Sequence, residues 1–134
     1  VEVVLDTNFI LTCVKQKIDF AEIAGQVVDG KIDWIVPQQV LNELGQLKDR
    51  GGMKVVDKQA ASLAFDILQT LDASIVDLGK NPNVDIGIVN YVLGTDRVVA
   101  TMDKGLKGRL GAGGKKGAEN KILSIRGKDW LELL

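Results

Sequence analysis

Three carboxylates in this chain stand where an extended or turning segment gives way to a helical pattern: Asp6, Asp85 and Asp103. Asp6 ends Val1-Glu2-Val3-Val4-Leu5, an apolar, β-branched run that reads as a buried strand, and Phe9-Ile10-Leu11 then open a helix. Helices that follow parallel strands begin at one edge of the sheet, so these acids are expected to share that edge. Open α/β sheets bind ligands there. A fourth acid, Glu43, lies within a helical stretch about 60° from Val40 around the axis. It therefore borders the apolar stripe and can point along the same edge. Taken singly, each acid has a simpler explanation, as a helix cap or a solvated helix residue. Taken together they would repel one another unless protons or a divalent cation compensated them. Oxygen-only ligands suit Mg²⁺ or Mn²⁺.

The residues that are missing narrow the chemistry further. The 134 residues include no histidine, which removes Ser–His and Cys–His catalysis and the commonest zinc ligand. The single cysteine, Cys13, sits in an apolar helical pattern and reads as a core thiol. It excludes an internal disulfide and favours a reducing, cytoplasmic setting. No apolar run approaches the roughly 18 residues of a bilayer span, and no signal-peptide pattern opens the chain, so no membrane partner is expected. The glycine-rich run 111–117 fails as a phosphate loop: Lys116 follows Gly114-Lys115 where Ser or Thr is needed. It reads as a mobile basic loop. Trp34 and Trp130 read as core or edge packing rather than base-stacking platforms.

Charge is unevenly spread. Residues 104–128 carry eight bases against the single acid Glu119, a net +7 that leaves −8 on the rest of the chain. Such asymmetry points to a polyanionic partner. Lys104, Lys107 and Arg109 directly follow Asp103, and Lys115 and Lys116 stand in the glycine-rich run. These five are the candidates for holding a nucleic-acid backbone, against the simpler reading of a solvated basic face.

The elements that must position these residues alternate. Strands are expected at 1–5, Ile32–Val36, Ser74–Leu78, Arg97–Met102 and Lys121–Ile125. Helices are expected at 8–17, 19–28, 38–50, 54–71, Asp85–Leu93 and Asp103–Leu110, with a terminal helical turn from Trp130 to Leu134. Gly51-Gly52 and Asn81-Pro82-Asn83 read as a helix stop and a turn. The alternation predicts one α/β domain over 1–134, a parallel sheet of about five strands covered by helices on both faces.

With Asp6-Thr7-Asn8, Glu43, Asp85 and Ala100-Thr101-Met102-Asp103 in place, the order and spacing resemble the PIN-domain nucleases over essentially the whole chain. The most specific pieces are LDTNFI and VVATMDKGLKGRL, the latter similar to the family's Thr-x-Asp followed by a helix with Leu three residues on, here Leu106. DTNFI, then Lys15 and Lys17, and the basic Lys104–Arg109 helix look most like the branch that acts in small-subunit ribosomal RNA processing. Gly105 and Gly108 depart from the pattern, since relatives usually carry better helix formers there.

The resemblance implies a three-layer α/β/α sandwich and metal-dependent hydrolysis of RNA phosphodiesters, with Mg²⁺ or Mn²⁺ as cofactor. By the same resemblance Asp6 and Asp103 are primary metal ligands, Glu43 and Asp85 complete the catalytic site, and Asn8 and Thr101 orient ligands or water. Asp96 is an extra acid that a turn explains equally well. The partner implied is RNA, single-stranded or structured ribosomal RNA, with a homodimer left open. Competing readings are a toxin ribonuclease held by an antitoxin and a catalytically silent RNA-binding factor in ribosome assembly.

Overall fold

A computed structural model describes residues 1–49, 54–80, 83–110 and 120–134. The first half comprises β1 (Glu2–Leu5), α1 (Thr7–Lys15), α2 (Phe20–Val27), β2 (Asp33–Pro37), α3 (Gln38–Asp49) and α4 (Val55–Thr70). The second half comprises β3 (Ser74–Val76), α5 (Val84–Val92), β4 (Val98–Ala100), α6 (Lys104–Leu110), β5 (Ile122–Arg126) and β6 (Trp130–Leu133). The strands form one sheet in the order β3-β2-β1-β4-β5-β6, parallel throughout except for the antiparallel pair β5–β6.

The period-2 geometry of the strands divides the core in two. Val3 and Leu5 of β1, with Trp34 and Val36 of β2, face one way and pack on Phe9, Ile10 and Cys13 of α1, Phe20 of α2, Leu44 of α3 and Ala61 and Ala64 of α4. Val4 and Ile35, between them in sequence, face the other way onto Ile88 and Val92 of α5 and Leu106 and Leu110 of α6. The result is the expected three-layer α/β/α sandwich. Trp34 is a packing residue: its ring meets Phe20 edge-on at 5.4 Å, and Phe20 meets Phe9 at 5.7 Å. Among the described residues no helix is long and apolar enough to cross a membrane.

The C-terminus departs from expectation. Residues Trp130–Leu133 form an edge strand, β6, rather than a helical turn. Gly127, at φ +65°, reverses the chain after β5, and Leu131 then points into the core while Trp130 lies exposed on the edge. A short alternating stretch paired to a neighbour outweighs local helical preference. The sheet therefore has six strands. β3 stops at Val76, two residues short of Leu78, because Asp77 turns the chain by accepting from the Gly79 backbone N–H at 2.8 Å. The glycine stop 51–52, part of the 81–83 turn and the loop 111–117 with Lys115 and Lys116 lie outside the described residues.

Candidate active site

β1 and β4 are neighbours, but the chain leaves β1 towards β2 on one side and reaches β5 from β4 on the other. Their carboxyl ends are the switch point of the sheet, where the following connections diverge and leave a crevice. Asp6 and Thr101 are the first residues beyond those two ends. The Asp6 N–H donates to the Ala100 carbonyl at 3.0 Å, which fixes the two strand ends side by side.

From there a short relay of hydrogen bonds joins three of the expected residues. The Thr101 hydroxyl donates to Asp6 Oδ2 at 2.7 Å and accepts from the Asp103 N–H at 3.0 Å. Asp6 Oδ1 accepts from the Thr7 N–H at 2.9 Å, and Asp103 Oδ1 accepts from the Leu106 N–H at 2.9 Å, so each acid also caps the helix that follows it. The simple capping explanation is thus correct for these two, and it coexists with their placement in the crevice. Asn8 closes the group by accepting from the Met102 N–H at 3.4 Å.

Glu43 and Asp85 reach the same place from α3 and α5. They line an open depression of about 460 Å³ with Asn83 and Val84. Asp85 is not the cap of its helix: Asn83 takes that position and accepts from the Ile86 N–H at 3.2 Å, leaving Asp85 in the first turn. Electrostatics ties all four acids together. Burial pushes the Asp6 carboxyl from its ordinary 3.8 up to about 6, hydrogen bonds from Thr101 and Thr7 restrain it, and the charges of Asp85 and Glu43 raise it further. Glu43 is raised by burial and by Asp85, with the Thr7 hydroxyl opposing. Asp85 is raised by burial and by Asp103, with Arg109 opposing. The Thr7 hydroxyl faces Glu43, yet no partner closes on its buried oxygen with full hydrogen-bond geometry.

This donor set is composed of hard oxygens. Cys13 contributes nothing, since it is fully buried in the core and burial pushes its thiol up to about 12. Raised carboxylates are short of positive charge, and a divalent cation supplies it as well as a proton does. Among the described residues no group of three acids is arranged to close on one metal ion. Mg²⁺ and Mn²⁺ prefer all-oxygen surroundings of this kind, with one or two carboxylates beside several waters and substrate oxygens. The residues present therefore fit such an ion.

The sequence of residues 3–128 matches the family described as the PIN like domain. This chain belongs to that family. PIN domains are generally nucleases. Ribonuclease VapC4 of Methanocaldococcus jannaschii is 30% identical over 135 residues, covering 98% of this chain and 95% of the relative. The solved structure of the PIN domain endonuclease Utp24 superposes with a TM-score of 0.74 at 27% identity, covering 98% of this chain and 90% of that one. VapBC2 from Rickettsia felis, solved bound to a DNA fragment from its promoter, matches with a TM-score of 0.62 at 12% identity. It covers 94% of this chain and 100% of that one and shares the fold.

The basic residues of this PIN-like domain are not equivalent. Lys104 and Arg109 are exposed, and Arg109 acts electrostatically on Asp85. Lys107 is half-buried and donates to the Ser124 hydroxyl at 2.6 Å, so its ammonium is pinned against β5. Asp96 lies before β4, at the opposite edge of the sheet, lining a depression with Val1, Asp29 and Asn120. It is not part of the acid group. Thr7 at the site, and Gln39 one turn behind Glu43, were not singled out by the sequence. Thr7 was legible only as a neighbour of Asp6, although a threonine in the first turn beside a buried acid has its hydroxyl available to the crevice. Gln39, one helical turn before Glu43, carried no signal beyond that spacing.

Proposed function

We propose that this PIN-like domain is a divalent-metal-dependent endoribonuclease. The observation that carries the reading is the convergence of Asp6, Glu43, Asp85 and Asp103, from four separate elements, on the carboxyl edge at the sheet's switch point. Asp6 and Asp103 would hold the ion, and Glu43 and Asp85 would complete its surroundings and orient water. A bound divalent ion would supply a more acidic water and positive charge to offset that on the departing oxygen. Thr101 keeps the Asp6 carboxylate in place through Oδ2 and the Asp103 backbone through its N–H, and Asn8 holds the Met102 backbone between them. Lys104 and Arg109 offset the repulsion that an acidic crevice exerts on phosphates, and Lys107 adds a fixed charge; in sequence, Lys115 and Lys116 add two further bases to the same segment as candidates for RNA contact. The ribosomal RNA substrate is inferred from the likeness of DTNFI, Lys15, Lys17 and the basic Lys104–Arg109 helix to the branch that acts in small-subunit ribosomal RNA processing. The single cysteine, Cys13, which lies in the core and away from the site, favours a reducing, cytoplasmic setting for the protein.

Cleavage of RNA should require Mg²⁺ or Mn²⁺, stop with EDTA, and fall by about a hundredfold or more in Asp6→Asn. Equal cleavage by the purified variant would overturn the assignment. The relationship to a protein named Ribonuclease VapC4, along 95% of its length, favours a second reading as the toxin ribonuclease of a toxin–antitoxin pair. Cleavage confined to ribosomal precursor RNA supports the first reading, and arrest of growth on expression of the wild type but not Asp6→Asn supports the second.

A further inference from the structure

α6 is seven residues long and carries two glycines, Gly105 and Gly108. Each weakens a helix that must hold its shape beside the acid group. The two positions differ in what surrounds them. Beyond its own helix backbone, a Cβ at Gly108 would meet nothing within 4 Å among the described residues, so none of them requires glycine there. A Cβ at Gly105 would lie 3.1 Å from Asp103 Oδ1, inside ordinary van der Waals contact, and would meet nothing else within 4 Å. That same oxygen accepts from the Leu106 N–H at 2.9 Å. The carboxylate is therefore folded back over the first turn of its own helix, across the space that a side chain at 105 would fill. Its second oxygen, Oδ2, receives no hydrogen bond from the described residues.

We infer that Gly105 is a positioning residue for Asp103, and that its missing side chain lets the carboxylate cap α6 through Oδ1 while Oδ2 stays available to a divalent cation. The inference rests on the assignment of Asp103 as a metal ligand made above. Any Cβ at 105 forces a choice: the carboxylate rotates off the Leu106 N–H, or it shifts by a few tenths of an ångström with the cap retained. Either movement displaces Oδ2 along with the rest of the carboxylate. Side chains at 108 have no such effect.

The test uses G105A and G108A in the full chain, read by thermal melting in EDTA and by Mn²⁺ titration followed calorimetrically. G108A should raise Tm by roughly 2–4 °C and bind Mn²⁺ as the wild type does. G105A should show no such rise, and its Mn²⁺ affinity should fall by about fivefold or more. A double-mutant cycle with Asp103→Ala isolates the contact, because without the carboxylate G105A should become stabilising. That arm is read by melting alone and needs no metal. G105A that binds Mn²⁺ like the wild type, or that changes Tm equally with and without Asp103, overturns the inference. A wild-type protein that binds no Mn²⁺ would instead overturn the metal-dependent reading, and the melting cycle would still decide whether Gly105 accommodates Asp103.

Discussion

Replacing Asp6 by asparagine should stabilise the metal-free protein at neutral pH and flatten its dependence on pH. In the native state the Asp6 carboxyl holds its proton up to about pH 6, against 3.8 in the unfolded chain. Between those values the native state binds more protons than the unfolded one, so stability falls as pH rises. The penalty is absent below the unfolded value and complete once pH has passed through about 6. The gap corresponds to about 3 kcal/mol as a ceiling. Glu43 and Asp85 are displaced in the same direction and add to the decline.

Asparagine removes the Asp6 contribution. It keeps an oxygen for the Thr7 N–H but presents an amide to the Thr101 hydroxyl, which costs about 1 kcal/mol. The net expectation is a gain of roughly 1–2 kcal/mol at pH 7.5 and a small loss at pH 4. Urea unfolding in EDTA at pH 4, 5, 6, 7 and 8 measures both. Adding Mn²⁺ should reverse the order at pH 7.5, because only the wild type then gains from ligand binding to the native state. Parallel curves for the two proteins across the whole range would refute the reasoning, since they would mean that the Asp6 proton is not linked to folding.

Two further outcomes follow from other parts of the molecule. Asn120 is 4% exposed and its amide donates to the carbonyls of Val92, Thr95 and Arg97, joining the end of α5 to the start of β4; Asn120→Ala should cost about 2–3 kcal/mol by denaturant unfolding, without altering Mn²⁺ affinity. Replacing Lys104 and Arg109 with alanine should weaken RNA binding across sequences and flatten the salt dependence by about 1.4, or about 0.7 for each phosphate that is no longer neutralised. An unchanged slope would leave those two as a solvated face.

Much of this arrangement is legible in the residues themselves. The run Val3-Val4-Leu5 could only be buried on both faces, and its termination in Asp6 ahead of a helix already placed a carboxylate at the sheet's edge. The same logic located Thr101 and Asp103 after β4. What failed were features decided by pairing or by space. Trp130–Leu133 is too short for its period to separate strand from helix, and it became a strand because β5 offered a ladder. Asp85 resembled a cap until Asn83, two residues earlier, proved to have the better geometry. Lys107 looked like its basic neighbours, and only the packing of α6 on β5 brings it to Ser124. Gly105 and Gly108 are indistinguishable in sequence, and they separate only once the Asp103 carboxylate is seen above one of them.

Holding Glu43 and Asp85 near each other opposes their mutual repulsion, so other contacts must tie α3 to the turn that precedes α5. Gln39 supplies that tie. Its amide nitrogen donates to Asp77 Oδ1 at 2.9 Å and to the Gly79 carbonyl at 3.0 Å, and its oxygen accepts from the Leu78 N–H at 3.2 Å. Leu78, in the turn that Gln39 grips, packs against Gly87 of α5, where a Cβ would come within 3.1 Å of the leucine side chain. Only a residue that both donates and accepts can hold this turn from one position. A glutamate at 39 would lose the donor and set a fifth negative charge one helical turn from Glu43, whereas a lysine would lose the acceptor that satisfies Leu78. The placement of the two acids is thus supported by hydrogen bonds from one uncharged side chain to the Asp77 carboxylate and to the backbone at 78 and 79, and by close packing of Leu78 on Gly87.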